Sequence, residues 1–208
     1  VVAAGSGSRF GGPKQLEDLD GRSVLDRSLA TARVACSGVV VVLPADLLDD
    51  AVVRGVVAAH QAVSVAGGAT RSESVRAGLA AVPSDAEVVL VHDAARPLAS
   101  ADLYAAVIAA VRGGADAVLP GAPINDTIRE VDGGVLDRDR LVAVQTPQGF
   151  PAATLRAAHA AGGEATDDVA LVEAGGGRVV VVPGESSNLK ITRPEDLVVA
   201  RALLEART

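Results

Sequence analysis

Glu87-Val88-Val89-Leu90-Val91-His92-Asp93-Ala94-Ala95-Arg96-Pro97 decides the fold: an apolar run stops abruptly at a charged loop closed by proline. A strand with one wet face alternates apolar and polar residues, whereas a strand covered on both faces reads as a continuous apolar run. The same kind of run recurs at Val39–Leu43, Ala62–Ala66, Ala117–Pro120, Leu141–Gln145 and Arg178–Pro183. Between and after these runs lie Ala- and Leu-rich helical patterns at Ser23–Ala35, Leu47–His60, Ser72–Ala81, Ser100–Arg112, Ala152–Ala161, Asp167–Ala174 and Pro194–Glu205. Strands separated by helices of this length indicate a mostly parallel sheet with helices on both faces, an α/β doubly wound domain. Val1-Val2 reads as the start of one more strand, and the missing Met implies that a few residues precede it. Ile124–Leu136 breaks the alternation. It reads as a hairpin, with Thr127–Val131 turning at Asp132-Gly133-Gly134, that projects as an arm over about residues 124–140.

Composition narrows the function. With 208 residues the chain fits one domain, 1–208, and no repeat or linker divides it. A net charge of −7 argues against a nucleic-acid partner, and 1% aromatic content removes base-stacking platforms. A small anion remains allowed, because individual loops can be positive on an acidic protein. No apolar run reaches the ~18–20 residues of a membrane span, and no signal-peptide pattern is visible. One cysteine, Cys36, excludes an internal disulfide framework and suits a reducing cytoplasm.

Only two lysines, Lys14 and Lys190, occur among nineteen basic residues. Lysine is a compact charge on a flexible stem and arginine a planar fork, so a crowded phosphate site can require the former. Chance is the alternative from composition alone. Lys14 closes the loop Ala3-Ala4-Gly5-Ser6-Gly7-Ser8-Arg9-Phe10-Gly11-Gly12-Pro13-Lys14-Gln15, which follows the first strand. Glycines allow close backbone approach, and successive N–H groups can cradle phosphate oxygens. A dinucleotide fingerprint fails because Phe10 stands where the third Gly or Ala belongs. A Walker loop fails because Pro13 and Gln15 flank Lys14. A flexible Gly/Ser turn is the bland alternative.

The Ala-Ala-Gly-x-Gly-x-Arg loop followed by Pro-Lys-Gln resembles the cytidylyltransferase branch of the sugar-nucleotide transferases. The 2-C-methyl-D-erythritol 4-phosphate cytidylyltransferase family of the non-mevalonate isoprenoid pathway is the nearest match. Further motifs in the family's order are Gly67–Val75, Val91–Pro97, Asp126-Thr127, Asp137-Arg138, Gln145–Phe150, Thr166–Asp168 and Lys190–Leu197. The resemblance implies a Rossmann-like nucleotidyltransferase fold, CTP and a small polyol phosphate as substrates, and Mg²⁺ held mainly by the nucleotide's phosphates. It implies catalytic roles for Arg9, Lys14 and Lys190. Ala3, Ala4, Gly5, Ser6, Gly7, Gly68, Ser74 and Asp93 would bind CTP, with Asp93 on the ribose or near the metal. Arg96, Thr127, Arg138 and Thr166 would surround the acceptor. A homodimer is implied, with the arm carrying Arg138 into the neighbouring subunit's site.

Several residues admit plainer readings. His92 is expected to pack rather than catalyse, and His60 and His159 lack metal-ligand spacing and receive no role. Asp167-Asp168 resembles a metal site but fits a helix N-terminus better. Arg138 and Arg140 can be ordinary solvated charges. Two departures from the family stand out: a short Arg9–Lys14 stretch, and Ala69 where some relatives carry an acidic residue. Ribitol 5-phosphate is the alternative acceptor, and a non-catalytic nucleotide-binding module is the alternative class.

Overall fold

A computed structural model describes residues 1–5, 7–165 and 167–207. Its strands are β1 (Val40–Leu43), β2 (Val63–Ala66), β3 (Val88–Val91), β4 (Ala117–Pro123), β5 (Val142–Val144), β6 (Gln148–Pro151) and β7 (Val179–Pro183). Its α-helices are α1 (Val24–Ala35), α2 (Ala51–Ala59), α3 (Arg71–Ala81), α4 (Ala101–Arg112), α5 (Ala152–Ala160), α6 (Asp168–Ala174) and α7 (Pro194–Glu205). Among the described residues no helix is long and apolar enough to cross a membrane.

The N-terminal segment joins the sheet. Val2 bridges Val42 on one side and Asp93 on the other, both in parallel. The bonds Val2 N to His92 O and Ala3 N to Val42 O complete the seam between β1 and β3. β2 lies parallel to β1, and β7 parallel to β4. Gly121 pairs with Val144 on one edge and with Pro183 on the other, and Val118 likewise with Gly149 and Val180. β5 and β6 therefore share one edge of β4 and form a single interrupted strand, antiparallel to β3 and β4. All other strands run one way, as a mostly parallel sheet requires.

Two elements differ from the sequence reading. β6 was not foreseen, because Gln148-Gly149-Phe150-Pro151 lacks the Val-rich signature of its neighbours. Gly149 is there for packing: a Cβ would lie 2.4 Å from Val107 Cγ1 on α4. The helix expected over Leu47–His60 divides into a 3₁₀ turn, Ala45–Leu47, and α2, because the Asp50 carboxylate accepts from the N–H groups of Val52 and Val53 and starts the helix there. The expected hairpin does reverse at the glycines, with Arg129 bridging Val135 and Leu136 N donating to Ile128 O. Residues 129–140 are all exposed.

Alternation along the strands feeds two helical layers. Val41 and Leu43 join Leu25, Leu29, Val53 and Leu103 on one face. Val89 and Val91 join Val75, Leu79, Phe150 and Leu155 on the other. A third cluster, Leu19, Val24, Leu98, Ile191 and Leu197, docks α7 against α1. Each layer buries its apolar stripe at roughly 25 cal/mol per Å², so the loops between layers are free to be polar.

One surface knot ties α1 to the end of α2. Asp26 accepts two bonds from Arg22, at 2.7 and 2.8 Å, and lies 2.5 Å from His60 Nε2. The Arg22 bond acts first, and with His60 it outweighs burial, holding Asp26 at about 2 against an ordinary 3.8. The folded value lies below the unfolded one. The stabilisation is therefore complete above the ordinary value and disappears as pH falls through about 2. Asp26→Asn is expected to flatten the stability–pH curve between about pH 4 and 2, read by urea titration across that range. An unchanged slope would contradict the knot.

Candidate active site

The site lies where loops leave the carboxyl ends of the parallel strands, the usual ligand position in such sheets. Asp93 stands just beyond β3. Its backbone N–H donates to Thr146 Oγ1 (3.0 Å), which contacts His92 Nδ1 at 3.1 Å, while His92 Nε2 lies 3.1 Å from Arg96 O. Thr146 gives its one proton to Nδ1, so the histidine carries its own on Nε2, toward the carbonyl. Burial pushes His92 down to about 3, and the ring is neutral. It packs on Tyr104 and sets the turn after β3, in line with a packing role.

The Asp93 carboxylate meets two cations. Lys190 Nζ donates to Oδ2 at 2.6 Å, and Arg71 lies 3.8 Å from Oδ1. Burial alone would raise this carboxyl, but Lys190 and then Arg71 outweigh it and hold it below the ordinary range. Lys190 is delivered by a braced loop. Asn188, fully buried, donates to Gln145 Oε1 (3.2 Å) and to Thr146 O (3.0 Å). Gln145 also bonds both backbone groups of Glu185, and Arg96 donates to Asn188 O at 2.8 Å and Val144 O at 3.1 Å. Ile191 N then bonds Ala95 O, which locks the residue after Lys190 beside β3.

Lys14 arrives from the other end of the chain. It opens a 3₁₀ turn, Lys14–Leu16, and its Nζ donates to Ile191 O at 2.7 Å. Burial, then Lys190, then Arg9 push this ammonium below its ordinary value. The loop before it folds tightly: Gly7 O accepts from Phe10 N and Gly11 N. Gly7 has φ +64°, and a Cβ there would fall 2.0 Å from Gly12 O, so only glycine fits. Arg9 and Gly5 are exposed at the loop's rim.

A second wall comes from α3. Thr70 and Glu73 form a reciprocal capping box, and Glu73 Oε2 also accepts from Ala69 N at 2.6 Å. The Ser74 hydroxyl donates to Thr70 O (2.9 Å) and accepts from Gly68 N (3.2 Å). A Cβ on Gly67 would lie 2.4 Å from Ala4 Cβ. Ala4, Gly67 and Ser74 thus pack closely, which sets the first loop against the loop leading into α3.

The structure brings together Ala3, Ala4, Gly7, Lys14, Gly68, Ser74, Asp93, Arg96 and Lys190. Ser6 and Thr166 lie outside the described residues. Thr127 and Arg138 are on the exposed arm, where Arg138 Nη1 donates to Asn125 O. Both guanidinium Nη groups of Arg96 are spent on backbone carbonyls, so it braces the loop that carries Lys190. Asp167 caps α6 through Ala170 N, as expected. Asp168 does not cap: it is buried between Arg71 (2.8 Å) and His159 (2.9 Å), so His159 has a partner after all. Sequence reasoning missed Arg71, Gln145 and Asn188 as parts of this assembly. The signal available for Arg71 was a cation at a helix start, inside a Thr-x-x-Glu box. Among the described residues no group of three metal-ligating side chains is present.

The family model for IspD, 2-C-methyl-D-erythritol 4-phosphate cytidylyltransferase, matches residues 1–206. The chain is 49% identical over 215 residues to the 2-C-methyl-D-erythritol 4-phosphate cytidylyltransferase of Rhodococcus opacus, with 99% of this chain and 93% of that protein covered. It is 50% identical over 218 residues to the bifunctional enzyme IspD/IspF of Clavibacter michiganensis, covering 98% of this chain and 53% of that protein, so it spans about half of that relative's length. The crystal structure of 2-C-methyl-D-erythritol 4-phosphate cytidylyltransferase from Thermus thermophilus superposes with TM-score 0.84 at 40% identity, covering 100% of this chain and 97% of that one. Two lysines at one buried-strand end, a glycine loop and a match running through almost every residue agree, and the chain belongs to the 2-C-methyl-D-erythritol 4-phosphate cytidylyltransferase family.

Proposed function

We propose that this protein transfers the cytidylyl group of CTP to 2-C-methyl-D-erythritol 4-phosphate, giving 4-CDP-2-C-methyl-D-erythritol and pyrophosphate. Residues 1–208 act in this reading as one nucleotidyltransferase domain in the cytoplasm. The observation that carries it is the meeting of Lys14 and Lys190, from opposite ends of the chain, at the loop after β3. An oxygen of the acceptor phosphate attacks the α-phosphorus, and the bond to the β-phosphate bridging oxygen breaks. Pyrophosphate leaves with that electron pair. The acceptor phosphate is already an anion, so no general base is needed, and catalysis is positioning and charge stabilisation.

Each part of the chain has a task in this reaction. The N–H groups around Gly5–Gly7 cradle the β- and γ-phosphates, with Arg9 and Lys14 adding charge where the leaving group forms. Lys190 approaches the α-phosphate. Ala3, Ala4, Gly68 and Ser74 bound the base, through backbone groups and one hydroxyl. Arg96 is a positioning residue that holds the Lys190 loop, and Thr127, Arg138 and Thr166 receive the acceptor. Asp93, held by Lys190 and Arg71, faces the ribose. Mg²⁺, an ion that tolerates few protein ligands, would be held chiefly by the nucleotide's phosphates. When bound, the ion neutralises phosphate charge.

Exposed Val131, Val135 and Leu136 on the arm, beside exposed Val142 and Val144 on β5, support a homodimer through this edge. A two-stranded hairpin is marginal alone in water, and a two-fold contact gives it a partner surface. Arg138 then serves the neighbouring subunit's acceptor.

Lys14→Ala and Lys190→Ala are each expected to lower kcat by roughly 10²–10³, as for loss of one preorganised charge donor, with little change in ligand-free melting temperature. Near-normal turnover in either variant, or outright unfolding, would refute the assignment. Pyrophosphate release should require a divalent cation and favour CTP strongly over ATP and GTP, with the methylerythritol phosphate preferred over ribitol 5-phosphate. Equal use of ATP, or full activity in excess chelator, counts against it. Mixed Arg138→Ala and Lys14→Ala subunits should regain activity that neither has alone, because each heterodimer keeps one intact site. A monomer by light scattering, or no recovery despite proven exchange, speaks against a shared site.

A further inference from the structure

Arg71 occupies the first position of α3, directly after the Thr70 cap. A cation there opposes the helix dipole, whose N-terminal end is positive. Two carboxylates compensate: Asp168 Oδ2 at 2.8 Å and Asp93 Oδ1 at 3.8 Å. Asp168 is held in turn by His159 Nε2 at 2.9 Å, and Asp93 by Lys190 at 2.6 Å. The result is a chain of groups, Lys190–Asp93–Arg71–Asp168–His159. Its outer end is open, with the Lys190 side chain 40% exposed, and its inner end is sealed, with Asp168 and His159 at 1% and 3%.

We propose that Arg71 is the positioning residue of the transfer site, tying the Asp93 carboxylate to the core-anchored Asp168–His159 pair so that Lys190 can leave Asp93 for the substrate phosphate. The proposal rests on the cytidylyl-transfer reading of the site. Among the described residues Lys190 and Arg71 are the cations within ion-pair distance of Asp93. A carboxylate 13% exposed that loses Lys190 to a phosphate would be left without a cation at ion-pair distance, which a protein interior penalises heavily. Arg71 removes that penalty. A planar fork faces two carboxylates at once in fixed geometry, a task a lysine's point charge performs less well. Beyond Lys190 and Arg71, Lys14, Arg96, the Val1 ammonium and the neutral His92 also lie within electrostatic range of Asp93.

The competing account is that Arg71 merely neutralises buried Asp168. Replacing Arg71 alone would strand that charge and unfold the protein, so the test uses Arg71→Gln with Asp168→Asn, which removes both charges of the buried pair and is tolerated far better. The double variant is expected to melt near the wild type, yet to lose roughly 10–100-fold in kcat, as expected for a displaced reactive group, with the KM for the acceptor unchanged. In ligand-free protein the ¹³C-labelled Asp93 carboxyl, assigned with Asp93→Asn, should titrate at higher pH than in wild type. Arg71→Lys should fold and recover only part of kcat, and it carries the test alone if the double variant does not fold. Wild-type kcat in the folded double variant or in Arg71→Lys, or an unshifted Asp93 titration, overturns the proposal. An inactive wild-type protein would count against the transfer reading instead, because the carboxyl titration still decides whether Arg71 holds Asp93.

Discussion

The contact between Lys190 and Asp93, at 2.6 Å, is the one on which the rest of the site depends. It joins the last loop of the chain to the end of a central strand, and each partner needs independent support. Asp93 is fixed through its own N–H to Thr146 and through the seam that Val2 makes beside it. Lys190 is fixed by Asn188, Gln145 and Arg96, whose bonds run to backbone groups rather than to ligands. Both charges are thus held by structure formed before any substrate arrives. Preorganised charge of this kind needs no rearrangement as charge develops on a reacting phosphate.

The antiparallel strand is what allows this bracing. In a purely parallel sheet, a strand beside β3 would carry its own carboxyl-end loop away over a helix. β5 and β6 instead run opposite to β3, so residues 145–147 cross the ligand end of the sheet within hydrogen-bonding reach of His92, Asp93 and Asn188. The interruption between β5 and β6 turns the polar groups of Gln145 and Thr146 inward, where both are buried. A buried polar group must be paired, and here the pairs are the struts of the site.

An acidic chain, at net charge −7, still gathers four cations here. Lys14, Lys190, Arg71 and Arg96 come from four separate segments, and Asp93 and backbone carbonyls keep them from repelling one another apart. Burial and mutual repulsion push Lys14 down, so an incoming polyanion would find a cation that gains by pairing.

How much of this was legible in the residues themselves follows from the range of the interactions. Continuous apolar runs such as Val88–Val91, caps such as Ser23, Ser100 and Asp167, and the Gly-rich first loop are local, and they indicated the α/β class, most helix boundaries and the candidate phosphate loop. The scarcity of lysine singled out Lys14 and Lys190. Strand β6 stayed hidden because its sequence was shaped by close packing at Gly149 rather than by strand propensity. Asp168 passed for a second cap because its partner Arg71 lies about a hundred positions away, and His159 for a residue without a role because its own partner is that same Asp168. Arg96 read as a phosphate fork, and nothing nearby in sequence reveals that Asn188 and Val144 turn their carbonyls toward its two Nη groups. Local chemistry writes propensity, capping and turn geometry into neighbouring residues, whereas the pairing of buried charges depends on which distant segments the folded sheet brings within 3 to 4 Å, and only the tertiary structure decides that.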